Sequence, residues 1–205
     1  MIKTMKQSLP HAPATQRNKD PILNVLKTFI PSGAEKALEI ASGTGEHICF
    51  FAEKFPSIFW QPSDRTNEIF WAIKERGLHN KNQKKPILLD VNKPYWHNEK
   101  NLEWDLILCI NMIHITSWQT TINMLNGASQ HLKDKGVLCL YGPYCFNGDH
   151  TSQSNLVFDR SLRTRNPTWG VRHFEDIVAC AEKNHLSLID TVPMPANNFS
   201  LIFAK

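Results

Sequence analysis

The stretch Ala37-Leu-Glu-Ile-Ala-Ser-Gly-Thr-Gly45 decides the fold of this 205-residue chain. Its first five residues are mostly apolar and predict a short buried strand. Gly43 and Gly45 then let the backbone turn tightly and approach a ligand closely. The apolar residues that follow recur at helical spacing: Ile48, Phe51, Ala52 and Phe55. The stretch therefore predicts a strand, a glycine-rich loop and a helix whose free N–H groups can bind a ligand.

The same alternation of strands and helices continues along the chain. Strands are predicted at residues 58–61, 86–91, 105–111, 137–141, 186–192 and 199–204. Further helices are predicted from Asp20-Pro21 to about residue 30, at 69–77, from Ser117 to about 132, and around 174–181. This order favours an open, mostly parallel α/β sheet. Residues 193–198 are too few for a helical crossover, so the last strand is expected to be antiparallel.

Composition and charge are those of an ordinary globular chain. Hydrophobic residues make up 41% and charged residues 20%, and the net charge of +4 is spread along the sequence. This pattern gives no signal for a membrane or nucleic-acid patch. No apolar run approaches the roughly 20 residues of a membrane span, and no secretory signal is recognised, so we expect a cytoplasmic protein. The five cysteines and nine histidines lack close pairs, which argues against a disulfide framework and a metal site.

Two segments fall outside the strand–helix rhythm. Residues 1–20 are polar and contain two prolines, so we predict a flexible or ligand-ordered arm in front of a single domain, 21–205. Residues 142–172 form a long polar stretch, which we interpret as a lid over the substrate. Its residues Arg163, Arg165 and Arg172 are candidates to recognise an acidic substrate, and the alternative is that they are simply solvated.

Acidic residues occur in or after three successive predicted strands. Glu39, Asp64 and Asp90 should all face one edge of the sheet, where nucleotide-type ligands bind. Asp64 can accept hydrogen bonds from ribose hydroxyls and Asp90 from an adenine amine, although both can also be turn formers. The third glycine of the dinucleotide fingerprint is replaced by Ile48, which disfavours a nicotinamide cofactor. One positively charged adenosyl ligand would explain all three acidic residues.

These residues, in this order, resemble the class I S-adenosylmethionine (SAM)-dependent methyltransferases. Further motifs resemble the methyltransferase-like protein twenty-six group and its bacterial relatives, formerly described as a domain of unknown function. These motifs are Arg17-Asn18-Lys19, residues 38–47, 60–64, 109–114, 141–144, 169–172 and 194–198. The resemblance covers the chain from about Arg17 to Phe203. It implies a Rossmann-like α/β fold with helices on both faces of a seven-stranded sheet, and SAM as cofactor, with S-adenosylhomocysteine (SAH) as product.

The resemblance also implies which residues bind the cofactor. They are Arg17, Asn18, Glu39, Ala41, Gly43, Gly45, His47, Asp64, Asp90, Val91 and Asn111. Glu39 and the two glycines would surround the methionyl part, and Asn111 would lie beside the sulfonium. Arg17 would pair with the carboxylate, a role suited to a guanidinium.

Methyl transfer requires alignment of the nucleophile with the methyl carbon and exclusion of water. A base is needed only if the acceptor must lose a proton. The catalytic candidates are His114, Asn111 and Tyr141, and the substrate candidates are Tyr144, Arg163, Arg165 and Trp169. The alternative for His114 is a structural histidine.

The sequence therefore predicts a SAM-dependent methyltransferase acting on an oxygen, nitrogen or sulfur atom of a small molecule. The alternatives are a nicotinamide-dependent oxidoreductase on a related sheet and a non-catalytic SAM-binding protein that acts through a partner. The chain has Asn111-Met-Ile-His114 in place of an Asn-Pro-Pro-aromatic motif, which disfavours a nucleic-acid acceptor but leaves it open. The acceptor and the oligomeric state are left open as well.

Overall fold

A computed structural model describes residues 8–94, 96 and 103–205. The first half contains α1 (Pro13–Phe29), β1 (Lys36–Ile40), α2 (Glu46–Lys54), β2 (Phe59–Asp64), α3 (Phe70–Arg76), β3 (Ile87–Leu88) and β4 (Trp104–Ile110). The second half contains α4 (Trp118–His131), β5 (Leu132–Gly142), β6 (Tyr144–Phe146), β7 (Asp149–His150), α5 (Gln153–Arg165), β8 (Arg172–His173), α6 (Phe174–Lys183), β9 (Ser187–Met194) and β10 (Asn198–Ala204). No helix in these described ranges has the length and apolar character to cross a membrane.

Seven strands form one sheet in the order β3-β2-β1-β4-β5-β10-β9. β1 lies parallel to both β2 and β4, whereas β10 is antiparallel to both of its neighbours. This confirms the predicted seven-stranded, mostly parallel sheet with an antiparallel last strand. Because the chain order reverses between β1 and β4, a crevice opens at the carboxyl ends of these two strands.

Hydrophobic clusters cover both faces of the sheet. On one face, Leu38 and Ile107 pack in a cluster with Met124 of α4 and Ile177 of α6. On the other face, the neighbouring strand residues join Ile22 of α1 and Phe51 of α2: they include Ala37, Leu106, Leu108 and Cys139. Successive residues of each strand therefore enter opposite clusters, as expected for parallel strands buried on both sides. The prediction of helices on both faces is confirmed.

The first helix begins earlier than the sequence pattern indicated. It starts at Pro13, and Pro21 lies inside it instead of at its first position. Residues 13–20 therefore belong to a helix and not to a flexible arm, and residues 1–7 lie outside the described part of the chain. Thr15 and Asn18 are buried, which shows that tertiary contacts hold these first turns in place. The proline at 21 misled the prediction, because Pro13 already occupies the favoured first helical position.

The segment 142–172, interpreted from the sequence as a lid, contains regular secondary structure. It contains β6, β7 and β8, which form a small sheet in the order β7-β6-β8, and the 13-residue helix α5. Ser152 caps α5 by accepting a hydrogen bond from the Asn155 N–H, and Leu162 is fully buried. Residues 133–136 at the start of β5 are left out of its pairing with β4: Trp104 pairs with Leu132 and Leu106 with Val137.

Candidate functional site

A cavity of about 560 Å³ opens at the carboxyl ends of β1, β2 and β4. Its volume lies within the usual range for small-molecule sites. Six of the residues singled out in the sequence lie in its wall: Ala41, Gly43, Asp64, Asp90, Val91 and Trp169. The other candidates lie behind this wall or beside it. The crevice predicted from the topology is therefore a real cavity.

The glycine loop adopts the backbone conformation that its sequence indicated. Ala41, Gly43 and Gly45 have φ values of 55°, 51° and 77°. At Gly43 an added Cβ would meet no atom within 4 Å, so the cavity side of the loop is open. At Gly45 it would come within 3.0 Å of Ile73 Cα, so close packing against α3 requires glycine there. The Gly43 N–H donates to the Asp64 carboxylate at 3.2 Å, which fixes this side chain against the loop.

Glu39 is the most perturbed acidic group of the site. Its side chain is 2% exposed, and its Oε2 atom has no hydrogen-bond partner among the described residues. Burial raises the pKa of Glu39 to about 8; a hydrogen bond with Ser42 opposes this shift and the nearby Asp64 adds to it. A buried carboxyl oxygen without a partner, such as Oε2, is costly unless a ligand satisfies it. Glu39 does not itself line the cavity, but it directly precedes Ile40 and Ala41, which do, and the arrangement suits a cationic group lying close to it.

Asp90 is half-buried and already has partners within its own loop. Its Oδ1 atom accepts hydrogen bonds from the Asn92 N–H at 3.0 Å and from Asn92 Nδ2 at 3.1 Å. The alternative interpretation of Asp90 as a turn former therefore describes part of its role. Because Asp90 also lines the cavity, its second carboxylate oxygen remains a candidate acceptor for a ligand amine.

Four further candidates meet behind the glycine loop. His47 Nε2 lies 2.7 Å from Asn18 Oδ1, and Asn18 also bonds with Tyr141. Burial lowers the pKa of His47 to about 4; Glu46 opposes this shift and Lys19 adds to it. Burial raises the pKa of Tyr141, against the opposing effects of Asn18 and the Arg17 guanidinium. Both rings are therefore neutral near pH 7, and Arg17 supplies the positive charge of this cluster.

His114 is buried behind the cavity wall. It is 1% exposed, its ring meets Tyr144 edge-on at 5.5 Å, and its Nε2 atom lies against Gly142. Burial lowers its pKa to about 3; the positive charge of Arg172 adds to this shift, whereas the backbone of Gly170 opposes it. Neither ring nitrogen has a hydrogen-bond partner within hydrogen-bonding geometry among the described residues. In this conformation His114 is a neutral, weakly basic side chain out of reach of the cavity.

Asn111 and Tyr144 belong to the same buried region. Asn111 has a φ of 59°, and its backbone N–H donates to the Tyr141 carbonyl at 2.8 Å. Tyr144 is fully buried, and burial raises its pKa well above the ordinary value. Neither residue lines the cavity, so the structure brings Asn111, His114 and Tyr144 together beside the site and not into its wall.

The predicted substrate-binding arginines are engaged in the protein itself. Arg163 donates to Asp159 at 2.9 Å, and Arg165 lies over the ring of Trp169 at 5.1 Å. Arg172 donates to the Ile113 carbonyl at 2.9 Å and also bonds to the carbonyls of Thr116 and Thr168. The hypothesis that they recognise an acidic substrate is not supported by these contacts. Arg172 instead ties the β4–α4 connection to the segment before β8.

Several wall residues escaped the sequence analysis. They are Ile40, Arg65, Leu89, Asn92, Met112, Ile115, Thr116, Ser117, Thr120, Asn166 and Thr168. Arg65, Leu89 and Met112 come within two residues after a strand end, and this position was the available signal. Asn166 and Thr168 could not be found in this way, because only the fold of the segment 142–172 brings them over the crevice. Within the described ranges, no group of three or more His, Cys, Asp or Glu residues could hold a metal ion.

The fold is shared with solved methyltransferase structures. An O-methyltransferase family protein from Burkholderia thailandensis matches with a TM-score of 0.79 and 13% identity, over 94% of this chain and 57% of that chain. Human N-acetylserotonin methyltransferase in complex with SAM matches with a TM-score of 0.76 and 13% identity, over 94% of this chain and 52% of that chain. An O-methyltransferase family 2 protein from Planctomyces limnophilus in complex with apigenin matches with a TM-score of 0.74 and 16% identity, over 91% of this chain and 56% of that chain.

These similarities establish the fold. The chain spans little more than half the length of those proteins, and identities of 13–16% carry no residue roles across. A sequence family described as "Protein of unknown function (DUF938)" matches residues 9–205, which is nearly the whole chain. The chain belongs to this family, DUF938.

Proposed function

We propose that this protein is a SAM-dependent methyltransferase that acts on a small molecule. The observation that carries the proposal is the buried Glu39 carboxyl group, whose free oxygen lies near Asp64 and the glycine loop at the edge of the sheet. SAM has a cationic sulfonium and an ammonium group, a ribose and an adenine. The site offers a buried acid with one unpartnered oxygen, a half-buried carboxylate on the cavity wall and an open glycine, which fit such a ligand.

The roles proposed for the individual residues come from the resemblance to SAM-dependent methyltransferases, and the positions of the residues are compatible with them. Glu39 would bind a cationic group of the cofactor, Asp64 the ribose hydroxyls, and Asp90 with Val91 the adenine. The cluster behind the glycine loop would bind the carboxylate through the charge of Arg17 and the amide N–H group of Asn18, whose oxygen is held by the ring N–H of His47. A carboxylate that receives several donors is stabilised even where it is partly removed from water.

When bound, SAM supplies a methyl group that is already activated by the sulfonium. The chain has to hold an acceptor oxygen, nitrogen or sulfur in line with that methyl group and keep water away. Arg172 serves this purpose indirectly, because it joins the β4–α4 connection to the segment that carries Trp169. We retain 142–172 as the segment that covers the acceptor. A buried His114 with a pKa near 3 fits an acceptor that needs no strong base.

A small-molecule acceptor is supported by the solved relatives. One of them is described with SAM and another with apigenin. We also propose that the protein is related to the methyltransferase-like protein twenty-six group. The proposal does not name the acceptor.

The nicotinamide-dependent alternative is disfavoured by the packing of Ile48. This side chain is fully buried in the cluster that joins α1, α2 and the sheet, at the position where a dinucleotide site has its third glycine. The helix cannot approach the strand there as closely as in a dinucleotide fold.

The proposal is tested by calorimetric titration of SAM, SAH and NADH into the wild type and an Asp64→Ala variant. Loss of the charged partner of the ribose should weaken SAM and SAH more than tenfold, since such hydrogen bonds contribute about 1.5–3 kcal/mol. Asp176→Ala, on the exposed surface of α6, is the matched control and should bind like the wild type. Binding of NADH without SAM would refute the proposal. Binding of SAM without SAH formation from any acceptor would favour the non-catalytic alternative.

A further inference from the structure

Glu46, the first residue of α2, connects three separate parts of the chain. Its carboxylate accepts hydrogen bonds from the Ala12 N–H at 2.7 Å and from the Thr44 hydroxyl at 2.9 Å, and His11 Nδ1 lies 2.7 Å away. The side chain is only 7% exposed. Ala12 is the residue in front of α1, and Thr44 belongs to the glycine loop. Glu46 therefore joins the start of α1 to the loop that borders the cavity.

Arg76, at the end of α3, reinforces the same junction. Its Nε atom donates to the Thr44 carbonyl at 3.1 Å, and its Nη2 atom donates to the Pro10 carbonyl at 2.5 Å. It also lies 3.9 Å from the Glu46 carboxylate. Partial burial works against ionisation of Glu46, but the donors from Ala12, His11 and Thr44, helped by Arg76, lower its pKa. Glu46 is thus held as a carboxylate, and we call its contacts with Ala12, His11, Thr44 and Arg76 the N-terminal clamp.

Helix α1 is continuous, but Pro21 inside it removes one of its backbone hydrogen bonds. Proline has no N–H, so the Arg17 carbonyl lacks the hydrogen bond that a regular helix would give it. Beyond the proline, Ile22 and Leu26 anchor α1 in the core. Before it, the helix depends on a few buried residues and on the clamp. The first turns of α1 can therefore be displaced more easily than the rest of the helix.

Those first turns carry residues that matter for the proposed site. Asn18, in the second turn of the helix, bonds with His47 at 2.7 Å and with Tyr141. Arg17 is its neighbour and brings its positive charge close to Tyr141. The position of both residues relative to the glycine loop is set by what fastens the start of α1.

We propose that Glu46 is a positioning residue, which fastens the start of α1 to the glycine loop and so places Arg17 and Asn18 to bind the amino-acid carboxylate of the cofactor. This inference rests on the proposed function. Glu46 acts through these two residues and does not itself contact the ligand. The chemical group whose binding it controls is an α-amino-acid carboxylate.

The test compares two ligands that differ only in that amino-acid part. SAH carries it, whereas 5′-methylthioadenosine has the same adenosyl group without it. Both are titrated by calorimetry into the wild type, Glu46→Gln and the control Glu53→Gln, which makes the same change at an exposed position of α2. We expect Glu46→Gln to weaken SAH about tenfold or more and to leave 5′-methylthioadenosine within twofold of the wild type. Glu53→Gln should change neither affinity.

Equal weakening of both ligands by Glu46→Gln, or no weakening of SAH, would overturn the inference. Arg76→Met serves as a second variant that opens the clamp from its other side, and it should give the same selective loss. Thermal unfolding of each variant without ligand shows whether the protein is folded. If the wild type binds neither ligand, the proposed function itself fails. If the wild type binds both equally well, SAM binding stands and only the role of the clamp is refuted.

Discussion

Substitution of Glu39 by glutamine should remove a pH dependence from cofactor binding. The pKa of Glu39 in the ligand-free protein is about 8, so the carboxyl group is mostly protonated between pH 6 and pH 7.5. Binding of a cationic group beside it requires that this proton be released. One pH unit corresponds to about 1.4 kcal/mol, so ionisation of a group with this pKa costs roughly 2.7 kcal/mol at pH 6 and about 0.8 kcal/mol at pH 7.5.

The affinity of the wild type for SAM should therefore rise between pH 6 and pH 7.5. The difference of about 1.9 kcal/mol corresponds to roughly twentyfold. The α-amino group of the ligand has an ordinary pKa of about 7.7–8.0 and begins to lose its own proton, which reduces the net rise to on the order of tenfold. Glu39→Gln has no proton to release, so its affinity should stay nearly constant over this range and be lower than that of the wild type at pH 7.5.

Calorimetry in two buffers of different ionisation enthalpy measures both the affinity and the proton release. A wild-type affinity that is independent of pH, or a Glu39→Gln variant with the same pH dependence, would refute the reasoning.

The stability of the ligand-free protein provides a second check. A carboxyl group whose pKa is raised by folding makes its full contribution to the free energy of unfolding at pH values below its ordinary pKa of 4.5. This contribution is lost as the pH rises toward 8. Between pH 5 and pH 7.5 the wild type should therefore lose stability relative to Glu39→Gln, by up to about 1.4 kcal/mol per pH unit.

Three further predictions concern packing around the site. In Gly142→Ala the new methyl group would lie 2.2 Å from His114 Nε2, so denaturant unfolding should show a loss of about 1–3 kcal/mol, and an unchanged stability would contradict the placement of this ring. Arg172→Met leaves three carbonyls without their charged donor, so the free energy of unfolding should fall by about 2–4 kcal/mol; a loss below about 0.5 kcal/mol would count against its tethering role. Gly45→Ala should be more destabilising than Gly43→Ala in thermal unfolding, because both have positive φ but only Gly45 lacks room for a Cβ; equal losses would contradict this packing.

The fold could be predicted because its signals are local. The apolar run before Gly43, the loop itself and the helical spacing after it are all read within about twenty residues, and right-handed parallel α/β topology follows from their repetition. The acidic residues could be placed for the same reason. Glu39 lies in a parallel strand, and Asp64 and Asp90 lie at or just after strand ends, so they must approach one edge of the sheet.

The surroundings of these residues could not be predicted, because they depend on contacts between distant parts of the chain. The early start of α1 is accompanied by a hydrogen bond from the Ala12 N–H to Glu46, which lies 34 residues later in the chain. The spacing of the arginines in the segment 142–172 is compatible with substrate binding. In the structure, however, Arg163 bonds with Asp159 and Arg172 bonds with three backbone carbonyls. His114 follows a strand end like a catalytic residue, and only the packing of Gly142 and Tyr144 around it shows that it is buried.

The most direct test of the whole account is a crystal structure of the protein with SAH. We predict ligand density in the cavity at the carboxyl ends of β1, β2 and β4, with the ribose hydroxyls on Asp64, the adenine beside Asp90 and the amino group beside Glu39. The carboxylate should lie near Arg17 and Asn18. Ligand bound elsewhere on the chain, or in this cavity without contact to Asp64 and Glu39, would contradict the account.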